Sequence, residues 1–403
     1  MGNAIVKIDF KGNTIILEAI NMKILYIISG LSTGGAEMML YKLLSVIDRN
    51  IFEPIVLSLT DYGSLGKNLK NLKIPVYKME MKSGFPNPFK VWRFIRLIGK
   101  VNPELIQGWM YHANLAALLA KWVLPNHICL LWNIRHTPDD LKKEKRLTAW
   151  VIRLGAKFSS YPDCIIYNSK ASEQKHKLLG YDNKNKSIIP NGFNCEKFKP
   201  FDNAKSKLLY SLGLNKDTLL IGLVARYHIM KDHVGFLHSA ERLNNTYPEI
   251  HFILVGKGVD KNNHLLTKLI EDLKIAKNVH LLGERIDVAE ITAGLDIACS
   301  SSSWGESFSN TIGEAMACGV PCIATDVGDS AWIVGDTGMV VKPGDRKAFT
   351  AAMITLIKMS SEERLRLGKL ARNRIIKHFS LKQVVKQYED KYQTLLNIKK
   401  TLI

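Results

Sequence analysis

The sequence predicts an α/β protein with two doubly wound domains that face each other across a cleft. From residue 23 onward, short continuous apolar runs alternate with helical stretches, which is typical of parallel sheets buried on both faces. The alternation pauses over residues 193–217, which are mostly polar, and then resumes. We therefore predict a first domain over residues 22–200 and a second domain over residues 201–380.

Each predicted strand is a short run of apolar and β-branched residues. The runs are KILYIIS (23–29), EPIVLSL, ELIQGW, CLLWNI, CIIYNS and SIIP in the first domain, and LLIGLVA (219–225), HFILVG (251–256), VHLLG (279–283), DIACSS (296–301) and VPCIATD (320–326) in the second. The tail from Glu362 to about Leu396 is rich in Lys, Arg and Glu and is predicted to be helical. Residues 1–21 are an N-terminal appendage to which we assign no function.

The composition is that of a soluble globular protein. The chain has 403 residues, of which 46% are hydrophobic and 23% charged, so disorder and coiled coil are excluded as its main organisation. No apolar run reaches the ~18 residues that a transmembrane helix needs, and the N-terminus lacks the long apolar core of a secretory signal. The six cysteines show no CxxC spacing and are expected to be free, buried thiols in a reducing compartment.

Positive charge is concentrated in the first half of the chain. The net charge is +19, and residues 1–200 hold 29 Lys and Arg against 15 Asp and Glu, whereas the second half holds 27 against 22. Such a basic half indicates an anionic partner, which could be nucleic acid, acidic lipid or a phosphorylated substrate.

The first candidate motif, SGLSTGGAE (29–37), follows the first strand and opens the first helix. Glycines let a ligand approach the backbone closely, and a helix N-terminus offers free N–H groups. The motif is neither GxGxxG nor GxxxxGK[ST], so it fits neither a dinucleotide site nor a Walker site. Two interpretations of this motif stay open: a site for a phosphate or a transferred sugar, and a plain tight turn.

The second candidate motif, WNIRHT (132–137), ends a strand in the basic half. A histidine at the carboxyl edge of a sheet, here His136, can bind a sugar hydroxyl or move a proton. His112, at the predicted start of the helix after ELIQGW, is a weaker candidate of the same kind. For both residues, an ordinary core or surface histidine is the alternative interpretation.

The third candidate motif, RYHIMKD (226–232), follows the first strand of the second domain. Arg226 and Lys231 stand five residues apart just past that strand, so both can reach one diphosphate. A guanidinium binds phosphate oxygens as a fork, and an ammonium adds a point charge. The alternative is a solvated loop with two unrelated cations.

The fourth candidate motif is the most specific, because loop, helix and turn features agree. Glu306 lies in the loop before a predicted helix, and Glu314 lies about one turn inside that helix. A loop carboxylate can accept hydrogen bonds from hydroxyls of one part of a ligand, and a carboxylate on the helix can hold a diol such as a ribose. The N–H groups around Asn310 and Thr311 form a helix N-terminus suited to pyrophosphate.

Motifs for metal binding are absent from the sequence. No aspartate pair has the Asp-x-Asp spacing that commonly holds a metal on a nucleotide-sugar, and neither HExxH nor a cysteine cluster suggests zinc. A site without metal must neutralise a departing diphosphate with cations and helix N-termini, which the third and fourth motifs could supply together.

Together these motifs resemble the retaining glycosyltransferases of family 4, which have the GT-B fold of two Rossmann-like domains facing across a cleft. The segment from Glu306 to Glu314 resembles the Glu-x7-Glu motif of that family, and the sequence after it, EAMACGVPCIATDVGD, is close to the usual continuation. Further matches are GGAE at 34–37, IIPNGF at 188–193, ARYHIMKDH at 225–233, LLGERIDV at 281–288 and GDTGMVVKPGD at 335–345. The resemblance covers about residues 22–395.

The resemblance implies roles for individual residues. Gly34 and Gly35 would face the donor sugar-phosphate and the acceptor, and His136 would contact the donor sugar near its reacting carbon. The remaining donor contacts would be Arg226, Lys231, Asn310, Thr311 and the neighbouring Ser309 around the diphosphate, Glu284 and Arg285 at the base, Glu306 at the sugar hydroxyls, and Glu314 at the ribose. The last helix, residues 381–395, would cross back to the first domain.

The implied activity is transfer of a sugar from a nucleotide-diphosphate sugar to a hydroxyl with retained anomeric configuration, and with no metal or other cofactor. A UDP-sugar is favoured over a GDP-sugar, and the acceptor would be lipid-linked or a glycan in bacterial cell-surface polysaccharide or lipopolysaccharide assembly. Ser307 and Ser309 stand where the family commonly has glycine and proline, so the resemblance implies no particular donor sugar.

A basic segment of the first domain, PFKVWRFIRLIGKV (88–101), predicts where the protein would meet a membrane. Its cations recur at three- and four-residue steps beside aromatic residues, which is typical of a helix lying on anionic lipid. A second basic cluster, KKEKR (142–146), adds to this expectation. We therefore expect a cytoplasmic protein bound peripherally to the inner face of the membrane; an ordinary crossover helix is the alternative.

Two other classes of function are alternatives for the chain. An epimerase or a phosphorylase has the same architecture, but the lysine context of a pyridoxal cofactor is not apparent. A nucleic-acid binder is suggested only by the charge, because zinc fingers, an RNA-recognition signature and aromatic-basic interleaving are all missing, so no specific nucleic-acid partner is expected.

Overall fold

The structure is a computed structural model that describes residues 5–8, 14–17, 22–81, 87–124, 128–138, 140–142 and 144–401. The chain divides into two compact units. The first unit holds the described residues up to Asn168, Ser172–Ile189 and the chain from Val384 onward, and the second holds Ser169–Ala171 and Pro190–Gln383. The second unit thus begins at Pro190, earlier than the predicted start at residue 201.

A seven-stranded parallel sheet forms the centre of the first unit. The strands are β3 (Met22–Ile28), β4 (Phe52–Ser58), β5 (Val76–Lys78), β6 (Leu105–Trp109), β7 (Cys129–Ile134), β8 (Cys164–Tyr167) and β9 (Lys186–Ile188), in the order β5-β4-β3-β6-β7-β8-β9. The helices along this part of the chain are α1 (Gly35–Val46), α2 (Gly63–Asn71), α3 (Pro88–Val101), α4 (Tyr111–Val123), α5 (Arg146–Phe158) and α6 (Lys170–Leu178). Within the predicted appendage, β1 (Ile5–Ile8) and β2 (Thr14–Leu17) pair as a separate antiparallel ribbon.

The strands of this sheet are apolar throughout because helices cover both of its faces. All six residues of β7 are buried, as are the last five of β3. The core on one face contains side chains from β3, β4, β6 and β7 together with α3, α4 and α5. Continuous burial of this kind is what a parallel doubly wound sheet requires.

The last helix, α15 (Leu381–Thr401), contributes two buried tyrosines to the first unit. The Tyr388 hydroxyl accepts hydrogen bonds from Asn133 Nδ2 and Arg135 Nη1, each at 2.8 Å. The Tyr392 hydroxyl donates to Gln107 Oε1 at 2.6 Å. Because buried polar groups are costly unless they are paired, these contacts tie α15 to the carboxyl-terminal halves of β6 and β7.

A six-stranded parallel sheet forms the centre of the second unit. Its strands are β10 (Leu219–Val224), β11 (Ile250–Val255), β12 (Val279–Leu281), β13 (Ile297–Ser300), β14 (Cys322–Thr325) and β15 (Met339–Val341), in the order β12-β11-β10-β13-β14-β15. Its helices are α7 (Ala204–Leu212), α8 (His233–Asn244), α9 (His264–Asp272), α10 (Val288–Ala293), α11 (Asn310–Ala317), α12 (Ser330–Val334), α13 (Arg346–Lys358) and α14 (Ser361–Phe379). The two parallel sheets with alternating helices confirm the predicted fold class.

The tail that was predicted as one helical stretch is two helices, separated at Ser380. The backbone of Phe193 interrupts it: Phe193 N donates to Phe379 O, and Leu381 N donates to Phe193 O, each at 2.8 Å. These backbone groups therefore pair with a neighbouring segment instead of continuing the helix. At the other end of α14, Ser360 and Glu363 form a reciprocal capping box.

Two further expectations concern cysteines and membrane spans. All six cysteines are free, and five are buried, as predicted. Among the helices that the structure describes, none is long and apolar enough to cross a bilayer.

Candidate active site

In the second unit the strand order reverses between β10 and β13. Ligands of doubly wound sheets bind beyond the carboxyl ends of the strands at such a point. The loop after β10 carries the third predicted motif, and the loop after β13 carries the start of the fourth. Both motifs therefore lie where a ligand of this unit is expected.

The loop after β10 holds the two cations predicted to bind a diphosphate. Arg226 is exposed, and no hydrogen bond or ion pair joins it to another residue that the structure describes. Lys231 ends a single 3₁₀ turn, Ile229–Lys231, and is followed by Asp232 in the left-handed region at φ 48°. The Asp232 carboxylate accepts a hydrogen bond from Gly235 N at 2.9 Å, which caps α8 and fixes the end of the loop.

Lys231 and Glu306, 75 residues apart in the sequence, form an ion pair between Nζ and Oε1. Their side chains are only 18% and 12% exposed. The hydroxyl of Ser302 donates to the same carboxylate oxygen at 2.9 Å, and Thr325 at the end of β14 donates to Ser302 O at 2.6 Å. The ends of three neighbouring strands thus hold one cation and one carboxylate in contact. The third and fourth motifs predicted each of these residues but not the contact between them.

The N-terminus of α11 begins four residues after Glu306. Asn310 is its first residue, and its side-chain oxygen accepts a hydrogen bond from Asn191 Nδ2 at 2.8 Å. Thr311 and Glu314 are half-buried on the same helix. The hydroxyl of Ser309, at the cap position, is buried without a hydrogen-bond partner among the described residues. The first turn of α11 therefore keeps its N–H groups free of a side-chain cap.

Glu284 and Arg285 follow β12 at the same edge of the sheet, and both side chains are exposed. The guanidinium of Arg285 binds the carboxylate of Asp287 through two hydrogen bonds, of 2.8 and 2.7 Å. The structure therefore keeps Arg285 within its own loop. Within the described chain, no hydrogen bond or ion pair links this loop to Lys231 or Glu306.

In the first unit, the glycine motif lies after β3, next to the reversal of strand order between β3 and β6. Gly34 caps α1 with an extended backbone, at φ −149°, which any residue can adopt. A Cβ at Gly35 would meet no other side chain or loop within 4 Å in the described part of the chain. Neither backbone conformation nor packing against the described residues therefore requires glycine at Gly35.

His136 lies just after β7 in the first unit, with 35% of its side chain exposed. Its Nδ1 is 3.3 Å from the hydroxyl of Tyr111, and its Nε2 is 3.4 Å from Glu144 Oε1. The neighbouring Arg135 is buried and donates to Tyr388, so the residue before His136 is anchored in the core. His112 is exposed on the first turn of α4.

Sequence reasoning missed the partners of these residues. Tyr111 lies two residues after the end of β6. That position at the carboxyl edge of the sheet is the signal by which it could have been identified as a site residue. Ser302 and Glu144 lie in loops, and nothing in their local pattern distinguishes them. His176 lies in α6 and is fully buried, so its contact with Tyr111 follows only from the tertiary structure.

Two family models match most of the chain. Residues 33–197 match the model described as Glycosyltransferase Family 4, and residues 218–359 match the model described as Glycosyl transferases group 1. The chain belongs to glycosyltransferase family 4. The family resemblance predicted from the sequence is thereby confirmed.

Two curated relatives of this family member are named as glycosyltransferases of stated substrates or pathways. An Escherichia coli protein named UDP-Gal:alpha-D-GlcNAc-diphosphoundecaprenol alpha-1,3-galactosyltransferase is 28% identical over 62% of this chain and 64% of its own length. A Rhizobium meliloti protein named lipopolysaccharide core biosynthesis mannosyltransferase LpsB is 27% identical over 52% of this chain and 61% of its own length. The chain thus spans less than two thirds of the length of these relatives.

A solved structure shows the same fold over nearly the whole chain. The crystal structure of Anabaena Alr3699/HepE in complex with UDP has a TM-score of 0.81 and 21% identity, and the match covers 93% of this chain and 100% of the other. Another crystal structure of that Anabaena protein contains UDP-glucose and has a TM-score of 0.75. These matches confirm the GT-B fold that the family resemblance implied.

Among the residues that the structure describes, no group of three His, Cys, Asp or Glu side chains is placed to hold a metal ion. Metal independence stays a prediction for this family member, and a chelator experiment tests it.

Proposed function

We propose that the protein is a retaining, metal-independent glycosyltransferase. It moves a sugar from a nucleotide-diphosphate sugar, with a UDP-sugar favoured over a GDP-sugar, to a hydroxyl of a lipid-linked or glycan acceptor in cell-surface glycan biosynthesis. The observation that carries the proposal is the largely buried Lys231–Glu306 pair in the loops that lead to α11. The cation suits the anionic diphosphate of a nucleotide-sugar, and the carboxylate, which only accepts hydrogen bonds, suits the hydroxyl donors of its sugar.

The choice of donor and acceptor is supported by the relatives. The Escherichia coli relative is named for a UDP-sugar donor and a diphosphate-linked lipid, and the Anabaena structures contain UDP and UDP-glucose. Similarity at this level supports the class of substrate and leaves the individual sugar to experiment.

In the proposed reaction, the bond between the anomeric carbon and the diphosphate oxygen breaks, and a bond to the acceptor oxygen forms on the same face. The acceptor hydroxyl loses its proton, which the departing diphosphate can take up. Charge grows on the diphosphate as the sugar becomes oxocarbenium-like. That charge is stabilised by groups that are in position before the reaction begins. They are Lys231, Arg226 and the first turn of α11, with Ser309, Asn310 and Thr311.

The two carboxylates of the fourth motif orient the donor. Glu306 accepts hydrogen bonds from hydroxyls of the donor sugar, and Glu314 accepts from the ribose. Glu284 and Arg285 hold the base, chiefly through their backbone. In the first unit, Gly34 and Gly35 approach the donor and the acceptor, and His136 contacts the donor sugar near its reacting carbon. Correct positioning of the reacting atoms lowers the barrier together with the electrostatic term.

Release of nucleotide diphosphate from a panel of UDP- and GDP-sugars, with and without EDTA, tests the proposal. We expect slow hydrolysis of one donor, unaffected by EDTA and lost in Glu314→Ala. Inhibition by EDTA that an added divalent metal reverses would refute metal independence. Absence of both hydrolysis and calorimetric binding for every donor would refute the donor assignment. The anomeric configuration of the product with an accepted acceptor tests retention.

We further propose that α3 binds an anionic membrane surface, which places the protein at the inner face of the cytoplasmic membrane. Phe94, Ile98 and Val101 face the core of the first unit. The opposite face exposes aromatic and basic side chains together, since Phe89 and Trp92 are 66% and 52% exposed. The two rings stack at 5.7 Å. Aromatic residues with cations on one helix face favour the boundary between headgroups and acyl chains.

Each cation near an anionic surface adds about 1 kcal/mol to binding. Arg93, Arg96 and Lys100 are exposed on α3, and the Arg96 guanidinium lies 5.2 Å from the Trp92 ring centroid. We expect the protein to sediment with phosphatidylglycerol vesicles at low salt and to be released as the salt rises. Arg93→Glu/Arg96→Glu should abolish this binding.

A matched control for the vesicle experiment is Lys268→Glu/Lys277→Glu, which makes the same change in net charge at exposed positions of the second unit. It should still bind vesicles. Equal loss of binding in both double variants would show that net charge alone, and not α3, is responsible.

A further inference from the structure

A chain of hydrogen bonds in the first unit ends at Nδ1 of His136 and allows the protons along it to be assigned. It begins at the carbonyl oxygen of Ser172 and passes through the ring of His176 and the hydroxyl of Tyr111 to His136 Nδ1, while the other ring nitrogen, Nε2, faces the carboxylate of Glu144. The distances are 2.7 Å from His176 Nδ1 to Ser172 O, 2.9 Å from Tyr111 Oη to His176 Nε2, 3.3 Å from Tyr111 Oη to His136 Nδ1, and 3.4 Å from His136 Nε2 to Glu144 Oε1. A carbonyl oxygen only accepts hydrogen bonds, so the direction of the chain is fixed at its Ser172 end.

The ring of His176 has one possible arrangement of its proton. The Ser172 carbonyl accepts, so Nδ1 carries the hydrogen. The side chain is fully buried, and burial lowers the pKa of His176 to about 4, so the ring is neutral at physiological pH. Nε2 therefore offers a lone pair, and the Tyr111 hydroxyl donates to it.

The hydroxyl of Tyr111 has a single proton, and His176 receives it. Burial raises the pKa of Tyr111 well above its usual value, so the phenol stays protonated. Toward His136, the oxygen of Tyr111 can then only accept a hydrogen bond. His136 Nδ1 must therefore be the donor in that contact, whether or not Nε2 is also protonated.

We propose that Tyr111 and His176 are positioning residues that keep a proton on Nδ1 of His136 and thereby make Nε2 the atom that His136 presents to Glu144 and to a substrate. The proton assignment follows from the first unit alone. The effect on catalysis rests on the function proposed above, in which His136 contacts the donor sugar.

Both the ring and the backbone of His136 are held by this set of residues. The Tyr111 ring meets the His136 ring edge-on, with centroids 6.1 Å apart and an interplanar angle of 88°. The hydroxyl of Ser172 donates to the backbone oxygen of His136 at 2.7 Å. A side chain held at more than one point loses less conformational freedom when a ligand binds.

Nitrogen NMR of the full chain with ¹⁵N-labelled histidine tests the proton assignment. In the wild type at pH 8.5, we expect the His136 signals to show a proton on Nδ1. In His176→Phe, the Tyr111 hydroxyl loses its acceptor and turns to donate to His136 Nδ1, so the Nε2–H tautomer should dominate. In Tyr111→Phe, which preserves the ring, a mixture of tautomers should appear.

The matched control is Tyr181→Phe. The Tyr181 ring packs edge-on against His176 with centroids 4.9 Å apart, and its hydroxyl donates to Ile152 O at 3.0 Å outside the chain of hydrogen bonds. This variant loses one buried hydrogen bond near His176, and it should leave the His136 tautomer unchanged. A lone pair on His136 Nδ1 in the wild type overturns the assignment.

Activity separates a positioning role from a purely structural one. We expect Tyr111→Phe and His176→Phe to lower kcat about tenfold, which corresponds to one lost hydrogen bond of ordinary strength, and to change the donor KM less than twofold. Tyr181→Phe should stay within twofold of the wild type. Unchanged kcat in both variants with a shifted tautomer overturns the positioning role. If no donor is turned over while the NMR result is as expected, the proposed function fails and the proton assignment stands.

Discussion

Replacing Lys231 by methionine should destabilise the second unit as well as impair catalysis. The substitution leaves the Glu306 carboxylate, which is 12% exposed, with the Ser302 hydroxyl as its remaining donor. Removing one partner of a buried ion pair costs about 3–5 kcal/mol, and we expect about 3 kcal/mol here because both side chains keep some contact with solvent. For a unit of this size, that loss lowers Tm by roughly 6–12 °C.

A second substitution separates the effect of the unpaired charge from other effects. Glu306→Gln in the Lys231→Met background removes the buried charge, so the free energy of unfolding should recover to within about 1 kcal/mol of the wild-type value. Arg226→Met is the matched control, because Arg226 is exposed and has no described partner; its free energy of unfolding should stay within about 0.5 kcal/mol of the wild-type value. Differential scanning calorimetry measures all four proteins.

Turnover should fall at least ~100-fold in Lys231→Met, in the double variant and in Arg226→Met, since each removes a cation proposed to bind the diphosphate. Turnover near the wild-type rate in Arg226→Met would refute its diphosphate role. The same Tm for Lys231→Met and Arg226→Met would refute the reasoning about the buried pair. If the double variant does not regain the stability lost in Lys231→Met, lost packing and not the unpaired charge causes the destabilisation.

The remaining predictions concern stability. Burial holds the pKa of His176 and of His233 at about 4, against an ordinary value of 6.5. The unfolded chain therefore takes up protons first as pH falls, and the free energy of unfolding should drop between pH 6.5 and 4 by about 3 kcal/mol for each residue. A Tm that is flat from pH 6.5 to 5 would contradict this. A Cβ at Gly313 of α11 would overlap the buried ring of Phe193, so Gly313→Ala should cost about 1–3 kcal/mol in urea unfolding. Among the described residues, a Cβ at Gly99 on the exposed side of α3 would meet Leu124 alone, at 4.0 Å, so Gly99→Ala should be neutral or stabilising by about 0.5–1 kcal/mol. Equal losses of stability in both variants would show that helix propensity, and not the Phe193 ring, is the cause.

Several parts of the site were predictable because they follow from short-range pattern. Strand β13, the loop with Glu306 and the start of α11 are adjacent in the sequence, and the apolar run, the loop and the helical period identify them in order. The positions of Arg226 and Lys231 just past β10 follow in the same way. The site lies at the strand ends because parallel strands present their carboxyl ends at one edge.

Other parts depend on contacts between distant segments. The break at Ser380 does not follow from the local pattern, because the flanking sequence favours a helix on both sides; the backbone of Phe193 interrupts the helix there. Local propensity carries no information about this contact.

By itself, the sequence determined the class of fold, every strand of the two parallel sheets except β5 and β15, and the strand ends at which the candidate residues lie. These follow from hydrophobic periodicity and glycine placement, which act over a few residues. Only the tertiary structure decided that Lys231 meets Glu306 and that Tyr111 stands between His136 and His176. The packing of whole helices and strands brings together partners that are so far apart in the chain. A buried charge or hydroxyl is stable only where such packing places an ion-pair or hydrogen-bond partner beside it.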